Sequence, residues 1–401
     1  MFSSLKFKVI LFGFIFTFFS SFGQSYFLGL FNSSIREALS ITHGQFGSIY
    51  ASATLCSSLL LIWVGKKIDD VNIFKFAFFV TILLSFACFF FSRVTSVFLL
   101  FIAIFLMRFS GQGMMSHTAS TTISRYFTKT RGRALSISWF GLSSAEFIMP
   151  VLMVYLLTII DWQNLWLIFS ISVLIILPIV SFLLIKNLNL DSREANDENI
   201  KHVEIKQWRR RDVLKDYRFY IISSNMLAMP WIFTGFAVFQ SFVQTSKGWG
   251  PYVIAQSFMS YSIFSVLTLF LSGFLIDKFT SRKLLIYMNI PLLLSVIVLF
   301  LFDTPITAFL FLGLVGISNG FANILGSSTW AELYGVKYLG SIKALTTALM
   351  VFATAFGTAL FGYLIDIGFT VGDIAIVSGT YIFISLILLF MVRKKLNPVI
   401  I

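Results

Sequence analysis

The chain has 401 residues, of which 58% are hydrophobic and only 12% are charged. Soluble globular proteins contain roughly 45–50% apolar and about 25% charged residues, so this composition excludes an ordinary soluble protein. The formal net charge of +13 suggests a nucleic-acid partner, but such a partner requires a basic face on a soluble domain. Cys56 and Cys88 form no Cys-x-x-Cys or Cys/His cluster. The sequence therefore supports neither a disulfide framework nor a metal site, and we expect no cofactor.

Apolar segments long enough to cross a bilayer recur along the whole chain. A hydrocarbon core about 30 Å thick requires about 20 helical residues per crossing. The first half contains six such segments: 9–29, 46–65, 73–92, 97–119, 134–158 and 165–185. The second half contains another six: 218–244, 252–275, 284–302, 306–330, 341–364 and 373–392. The pattern predicts an all-α integral membrane protein with twelve transmembrane helices.

The first segment follows Lys6 and Lys8 and in this respect is similar to a secretory signal peptide. Its apolar run exceeds the usual length of about 7–15 residues, and the stretch from Ser21 to Ser25 contains no typical cleavage site. We therefore interpret it as an uncleaved first transmembrane helix, with a cleaved signal peptide as the alternative.

The only long hydrophilic stretch separates the two groups of six segments. We predict an N-terminal six-helix bundle at residues 1–186, a cytoplasmic linker at 187–216 and a C-terminal six-helix bundle at 217–401. An N-terminus in the cytoplasm places 26 of the 30 Lys and Arg residues on the cytoplasmic side and three outside, in agreement with the positive-inside rule. The basic charge thus predicts cytoplasmic termini and a location in the cell (inner) membrane. It gives no reason to expect a nucleic-acid partner.

A short loop pattern occurs once in each half of the chain. After the second segment the sequence reads Gly65-Lys66-Lys67-Ile68-Asp69-Asp70. After the eighth it reads Gly273-Phe274-Leu275-Ile276-Asp277-Lys278, followed by Arg282. The two glycines are 208 residues apart, about half of the chain. Two parallel six-helix halves related by an axis along the membrane normal are a recurrent transporter design.

With these loops the sequence resembles the major facilitator superfamily over essentially its whole length. The second loop fits that family's pattern, whereas the first has Asp70 where a basic residue is usual. The run Arg108-Phe109-Ser110-Gly111-Gln112-Gly113 is similar to the family's arginine- and glycine-containing element of helix 4. The resemblance implies that the two loops switch the protein between inward-open and outward-open states; ordinary cytoplasmic caps are the alternative. The candidate switch residues are Gly65, Asp69, Gly273, Asp277, Lys278 and Arg282.

Within that superfamily, residues 126–131 with Ala134 and Gly141 are similar to the helix-5 entry of the monocarboxylate and oxalate–formate branch. The acidic-glycine-tryptophan element of helix 1 and an arginine on helix 8 are missing. Drug/proton antiporters carry a glycine-rich run ending in Gly-Pro on helix 5, but here Pro150 follows Met149. The resemblance therefore implies a secondary transporter of a small organic anion, with an exporter of the same superfamily as the alternative.

Two charged residues lie near the middle of predicted transmembrane segments. Arg108 is about 11 residues from the outer end of its segment, and Glu146 is about 12 residues from the inner end of the next. A lone charge at this depth costs at least about 2.5–3.5 kcal/mol on insertion scales, so a partner or a water-filled cavity is expected. We predict that the two side chains pair or exchange partners, and that one of them meets an anion or a proton. A fixed structural ion pair is the alternative.

Polar residues on other segments are further candidates for contact with a solute. Gln112 lies one helical turn after Arg108 and so on the same face. In the family's fold, helices 1, 4, 7 and 10 line a central cavity. The resemblance therefore adds further candidate substrate-binding residues: Gln24, Tyr26, Gln240, Gln244, Asn319, Asn323 and Trp330. Amides orient small polar ligands, whereas hydrogen bonding between helices is the alternative role.

Other classes of membrane protein fit the sequence less well. An enzyme requires nucleophiles, bases or metal ligands that converge on one place, and three scattered histidines do not supply them. A channel or a receptor is a second alternative, which saturable exchange of a solute would distinguish from a carrier. We predict a transporter that acts as a monomer in the lipid bilayer on a small-molecule substrate, with protons as the coupling ion.

Overall fold

The computed structural model describes residues 4–127, 130–186, 206–335 and 337–398, and these ranges contain helices and turns but no β-strand. Within them, twelve helices are long and apolar enough to cross a membrane. The first six are α1 (Leu5–Gly29), α2 (His43–Ile68), α3 (Ile73–Phe91), α4 (Val97–Tyr126), α5 (Gly132–Leu156) and α6 (Trp162–Ile185). The second six are α7 (Tyr217–Val238), α8 (Val253–Ile276), α9 (Ser281–Leu301), α10 (Pro305–Tyr334), α11 (Ser341–Asp366) and α12 (Val371–Lys395). Each predicted segment overlaps one of these helices, which confirms the predicted fold class.

The helices form two compact units, Met1–Glu198 and Asn199–Ile401. In the first unit α1 packs against α5, α2 against α4, and α3 against α6. In the second unit the corresponding helices make the same pairs: α7 with α11, α8 with α10, and α9 with α12. The loop pattern that occurs once in each half of the sequence is therefore accompanied by the same helix packing in the two units. Residues 187–205 of the predicted linker lie outside the described residues.

Side-chain caps mark where several helices begin. Thr42 and Gln45 form a capping box at the start of α2, and Asn72 caps the first turn of α3. Asp216 accepts a hydrogen bond from the backbone N–H of Arg218 at the start of α7. Such caps satisfy backbone donors that have no partner inside the helix, so they fix the helix ends at the edges of the apolar segments.

Two helices of the first unit are irregular at the same level. In α1, a 3₁₀ turn at Ser21–Gly23 and the extended residue Gln24 interrupt the helix before it resumes at Ser25–Gly29. In α4, residues Arg108–Met115 form a π-helix, a rare conformation that occurs frequently at functional sites. A Cβ atom on Gly23 would overlap the backbone of α4 at Met107 and Gln112. The two irregular stretches therefore lie in direct backbone contact.

The seventh predicted segment, 218–244, is also interrupted. Helix α7 ends at Val238, Phe239 leaves helical geometry, and a short helix follows at Gln240–Ser246. The turn places Gln240 and Gln244 on the short helix and not on α7 itself.

Candidate substrate-binding site

The interruption of α1 is held by the arginine of α4. Arg108 Nη1 donates hydrogen bonds to the backbone oxygen of Gly23 at 3.0 Å and to Ser25 Oγ at 3.2 Å. Backbone groups that a broken helix leaves unpaired at membrane depth must find partners inside the protein, because lipid offers none. Arg108 supplies this partner for Gly23 and ties α1 to α4 at the level of the break.

Tyr50 of α2 completes the cluster of Arg108, Gly23 and Ser25, although nothing in the sequence distinguishes this tyrosine. Its hydroxyl donates to Ser25 Oγ at 3.0 Å, and its ring centroid lies 5.3 Å from Arg108 Cζ. Tyr50 is 1% exposed and Arg108 3% exposed. A buried tyrosine hydroxyl usually has a hydrogen-bond partner, but the sequence does not reveal which partner that is. Tyr50 thus holds Ser25 and the guanidinium in place from a third helix.

The guanidinium of Arg108 keeps an unused donor. Its Nε has no hydrogen-bond partner, and no carboxylate of the described residues forms an ion pair with it. A buried donor without a partner is costly, more so when it is charged. An arginine donates to carboxylates and other oxyanions through charge-assisted hydrogen bonds. The free Nε is therefore suited to an anion.

The predicted contact between Arg108 and Glu146 is not made in the structure. Glu146 is buried in α5, four residues before Pro150, and forms no ion pair with Arg108. The irregular segment of α1 bonds Arg108 through Gly23 and Ser25. The acceptors at the break are the backbone oxygen of Gly23 and Ser25 Oγ, and they take the place of the carboxylate.

The other candidates of the first unit lie around the same break. Gln24 is the extended residue of α1 and is half-buried. Gln112 is half-buried on the π-helical stretch, and its backbone nitrogen faces Gly23. The structure therefore brings together Gln24, Tyr26, Arg108 and Gln112.

The candidates of the second unit are dispersed. Gln240 Nε2 donates to the backbone oxygen of Ala237 at 3.0 Å, and Asn319 Nδ2 donates to Ser265 Oγ on α8 at 2.9 Å. The second contact joins two helices, which is the alternative role for amides. Gln244 is half-buried and Asn323 exposed. Trp330 is 1% exposed and stacks on Tyr334 with ring centroids 5.9 Å apart, so it packs in the core of the unit.

The first candidate switch loop is held by α4. The loop forms a 3₁₀ turn at Gly65–Asp69. His117 Nε2 donates to the backbone oxygen of Gly65 at 3.0 Å, and Arg125 Nη1 donates to that of Ile68 at 3.1 Å. Two side chains of α4 thus bind the loop that carries Asp70 where the resemblance implies a basic residue. The side chain of Asp69 lies outside the described residues.

The second candidate loop is held by α10, the counterpart of α4. Arg282 Nε pairs with Glu332 Oε1 at 2.9 Å, and the backbone nitrogen of Ser281 donates to Glu332 Oε2 at 3.0 Å. Lys278 is exposed, and the side chain of Asp277 lies outside the described residues. A Cβ atom on Gly273 would meet no atom within 4 Å, so no helix of the described residues approaches closely at this glycine. The side chains that hold the loop are therefore basic in the first unit, where they are His117 and Arg125, and acidic in the second, where Glu332 holds it.

Comparison with known proteins identifies the class. Residues 13–259, more than half of the chain, match the sequence model of the Major Facilitator Superfamily, and the protein belongs to this superfamily. It is therefore a multi-pass membrane transporter and not an enzyme. The finer assignment to the monocarboxylate and oxalate–formate branch is not confirmed. No curated protein sequence matches the chain.

Solved structures show the same fold. A bacterial homolog of the human lysosomal transporter Spinster, in an inward-facing and occupied conformation, is 13% identical with a TM-score of 0.75, and the match covers 98% of each chain. The nucleoside transporter NupG is 15% identical with a TM-score of 0.69, over 98% of this chain and 99% of that one. At these identities the similarity concerns the fold and not the substrate.

Proposed function

We propose that this protein is a secondary active transporter that moves a small organic anion, of the size of a monocarboxylate, across the cell membrane by alternating access. The observation that carries the proposal is the buried Arg108, which has a free Nε and no carboxylate partner among the described residues. A structural arginine in this position would be expected to have all of its donors bonded. An arginine that binds a transported anion needs one donor available.

The surroundings of Arg108 support binding that is reversible. One of its donors caps Gly23, and Tyr50 holds Ser25 from the other side. The guanidinium is thus positioned before the anion arrives, which lowers the cost of ordering it on binding. Because Gly23 and Ser25 belong to the interrupted part of α1, an anion on Arg108 would also affect the segment of α1 that follows the break. Broken membrane helices are the usual location of substrate sites in secondary transporters.

We further propose that Glu146 carries the coupling proton. It is buried and has no cation bonded to it among the described residues. Ionisable residues inside membrane segments typically mark ion or proton pathways. Because it forms no ion pair with Arg108, substrate and proton can occupy different groups at the same time.

The test combines ligand screening with substitution of Arg108. Purified protein is screened by thermal shift against carboxylates, nucleosides, amino acids, sugars and amphipathic cations, and a hit is followed by counterflow in proteoliposomes. We expect carboxylates to stabilise the wild type. Arg108→Gln removes charge-assisted hydrogen bonds worth about 1.5–3 kcal/mol each and should weaken binding by roughly 10- to 100-fold.

The matched control is Arg93→Gln, which removes an exposed arginine from the loop between α3 and α4 and should leave counterflow unchanged. Wild-type counterflow by Arg108→Gln contradicts the role of Arg108. Stabilisation by nucleosides or amphipathic cations alone contradicts the anionic substrate, and net conduction without counterflow contradicts a carrier.

A further inference from the structure

The second unit carries a dense group of exposed cations at the end where α7 begins. We call this group the basic patch. Each of its side chains is exposed: Lys206, Arg209, Arg210, Arg211, Lys215, Lys337, Arg393, Lys394 and Lys395. Its members come from three stretches of the chain: the residues before α7, the turn after α10 and the end of α12.

Contacts within the unit bring these three stretches together. Arg218 Nη1 donates to the backbone oxygens of Lys395 at 3.2 Å and Asn397 at 2.9 Å, which fixes the C-terminal stretch beside the start of α7. Leu396, between them, is 2% exposed in an apolar cluster that also contains Tyr334. The backbone nitrogen of Trp208 donates to the backbone oxygen of Tyr334 at 3.0 Å and fixes the described stretch before α7 to the end of α10. The patch is therefore a property of the folded unit.

Asp212 and Asp216, the acidic residues that the structure describes in the stretch before α7, are engaged elsewhere. Asp216 pairs with the buried Arg218 at 2.8 Å and accepts a hydrogen bond from the Tyr334 hydroxyl. Asp212 accepts from the backbone nitrogen of Arg209 at 3.2 Å. No carboxylate of the described residues forms an ion pair with a member of the patch. Its positive charge is thus available to an anionic partner.

Aromatic rings hold part of the patch in position. Lys206 Nζ lies 4.6 Å from the centroid of the Trp208 ring. Arg209 Cζ and Lys337 Nζ lie 5.6 and 5.7 Å from that of Tyr338. Cations over aromatic faces are attracted by the ring quadrupole. These cations are therefore held close together despite their mutual repulsion.

Exposed apolar and aromatic side chains next to the patch locate it at the bilayer surface. Leu214 is 39%, Tyr217 51% and Tyr220 55% exposed, and the hydroxyl of Tyr220 donates to the backbone oxygen of Leu214. Tyrosine is enriched where a membrane helix meets the headgroup region. A soluble anion or a nucleic acid would not require this apolar border, whereas a phospholipid would use both the cations and the apolar side chains.

We propose that the basic patch is a binding site for the headgroups of anionic phospholipids in the leaflet at which α7 begins. Basic clusters beside membrane helices attract anionic lipid headgroups. The phosphate lies among the cations of the patch, and the acyl chains lie along Leu214, Tyr217 and Tyr220. This site is distinct from the proposed substrate site, which lies in the other unit, and it does not depend on what the protein transports.

The test uses full-length protein purified in an uncharged detergent. Phosphatidylglycerol, phosphatidylcholine or inorganic phosphate is titrated in, with the midpoint of thermal unfolding and the number of lipids retained in native mass spectrometry as readouts. The patch variant is Arg210→Gln/Arg211→Gln/Lys215→Gln. The control is Lys66→Gln/Lys67→Gln/Lys75→Gln, which removes three exposed cations near the loop between α2 and α3. A charge-preserving variant, Arg210→Lys/Arg211→Lys, checks that the fold tolerates substitution here.

We expect phosphatidylglycerol to bind and stabilise the wild type, the control and the charge-preserving variant. The patch variant should need at least about tenfold more of this lipid, since it loses three cations that surround the phosphate, each worth roughly a factor of five, whereas the control loses none of these. Phosphatidylcholine and inorganic phosphate should have no effect. Equal responses of the patch variant and the control overturn the proposal. So does stabilisation by inorganic phosphate equal to that by the lipid, or by phosphatidylcholine equal to that by phosphatidylglycerol.

Discussion

Arg108 combines bonded donors with one that has no partner. Nη1 caps the broken backbone of α1 at Gly23, while Nε has no partner. Tyr50 reaches the same guanidinium through Ser25 and through its ring. We therefore regard Tyr50 and Ser25 as positioning residues: they hold Arg108 in place at the break of α1, where we propose that its free donor binds the anion.

Substitution of Glu146 by glutamine tests proton coupling at the scale of one residue. The variant keeps the shape of the side chain but cannot exchange a proton, so counterflow of the substrate should continue while a pH gradient should no longer drive accumulation. In the wild type, accumulation should rise by about tenfold per unit of pH gradient, because one unit corresponds to about 1.4 kcal/mol. Proteoliposomes with an imposed gradient measure both quantities.

The control for this experiment is Glu37→Gln, because Glu37 is exposed in the connection between α1 and α2 and should behave as wild type. Gradient-driven accumulation by Glu146→Gln at the wild-type level would show that another group carries the proton.

At the scale of helices, glycines decide where backbones touch. A Cβ atom on Gly141 of α5 would overlap the backbone of α1 at Phe14, and one on Gly357 of α11 would overlap that of α7 at Trp231. These two crossings join equivalent helices in the two units. The contact of Gly23 with Gly111 between α1 and α4 is a further crossing in the first unit, and it coincides with the interruption of α1. The irregular geometry around Arg108 therefore depends on close helix packing.

Gly23→Ala should disrupt this crossing. The added methyl group has no room against the backbone of α4, and overpacking typically costs about 1–3 kcal/mol. We expect a lower midpoint of thermal unfolding and weaker substrate binding. Gly326→Ala in α10 is the matched control, because its Cβ atom would meet no atom within 4 Å and alanine favours a helix by up to about 1 kcal/mol. Equal midpoints for the two variants would contradict the packing argument.

At the scale of the whole molecule, the two units use the same three helix pairs but different local chemistry. The loop after α2 is bound by His117 and Arg125, whereas the loop after α8 is bound through Glu332. The ionisable candidates of the substrate site, Arg108 and Glu146, lie in the first unit only. Two candidate amides of the second unit bond within that unit: Gln240 with Ala237 and Asn319 with Ser265. We infer that recognition of the charged group belongs to the first unit.

The predicted orientation can be tested with single cysteines. In a background without Cys56 and Cys88, Asp70→Cys lies between α2 and α3 and Thr95→Cys between α3 and α4, and both positions are exposed. The Lys and Arg distribution predicts that Thr95→Cys reacts with a membrane-impermeant maleimide in intact cells, whereas Asp70→Cys reacts only after permeabilisation. The reverse pattern would place the N-terminus outside.

The number and approximate ends of the membrane helices followed from the sequence by itself, because apolar length determines what can cross a bilayer. The two buried charges were also evident, since Arg108 and Glu146 stand out in apolar segments. Only the tertiary structure decided what these charges contact. Nothing in the sequence marks Gly23, Ser25 and Tyr50 as neighbours of Arg108. They come together only at the interruption of α1, where α1 crosses α4. The basic patch likewise combines stretches that are distant in the chain, and Arg218 and Trp208 join them only in the folded unit.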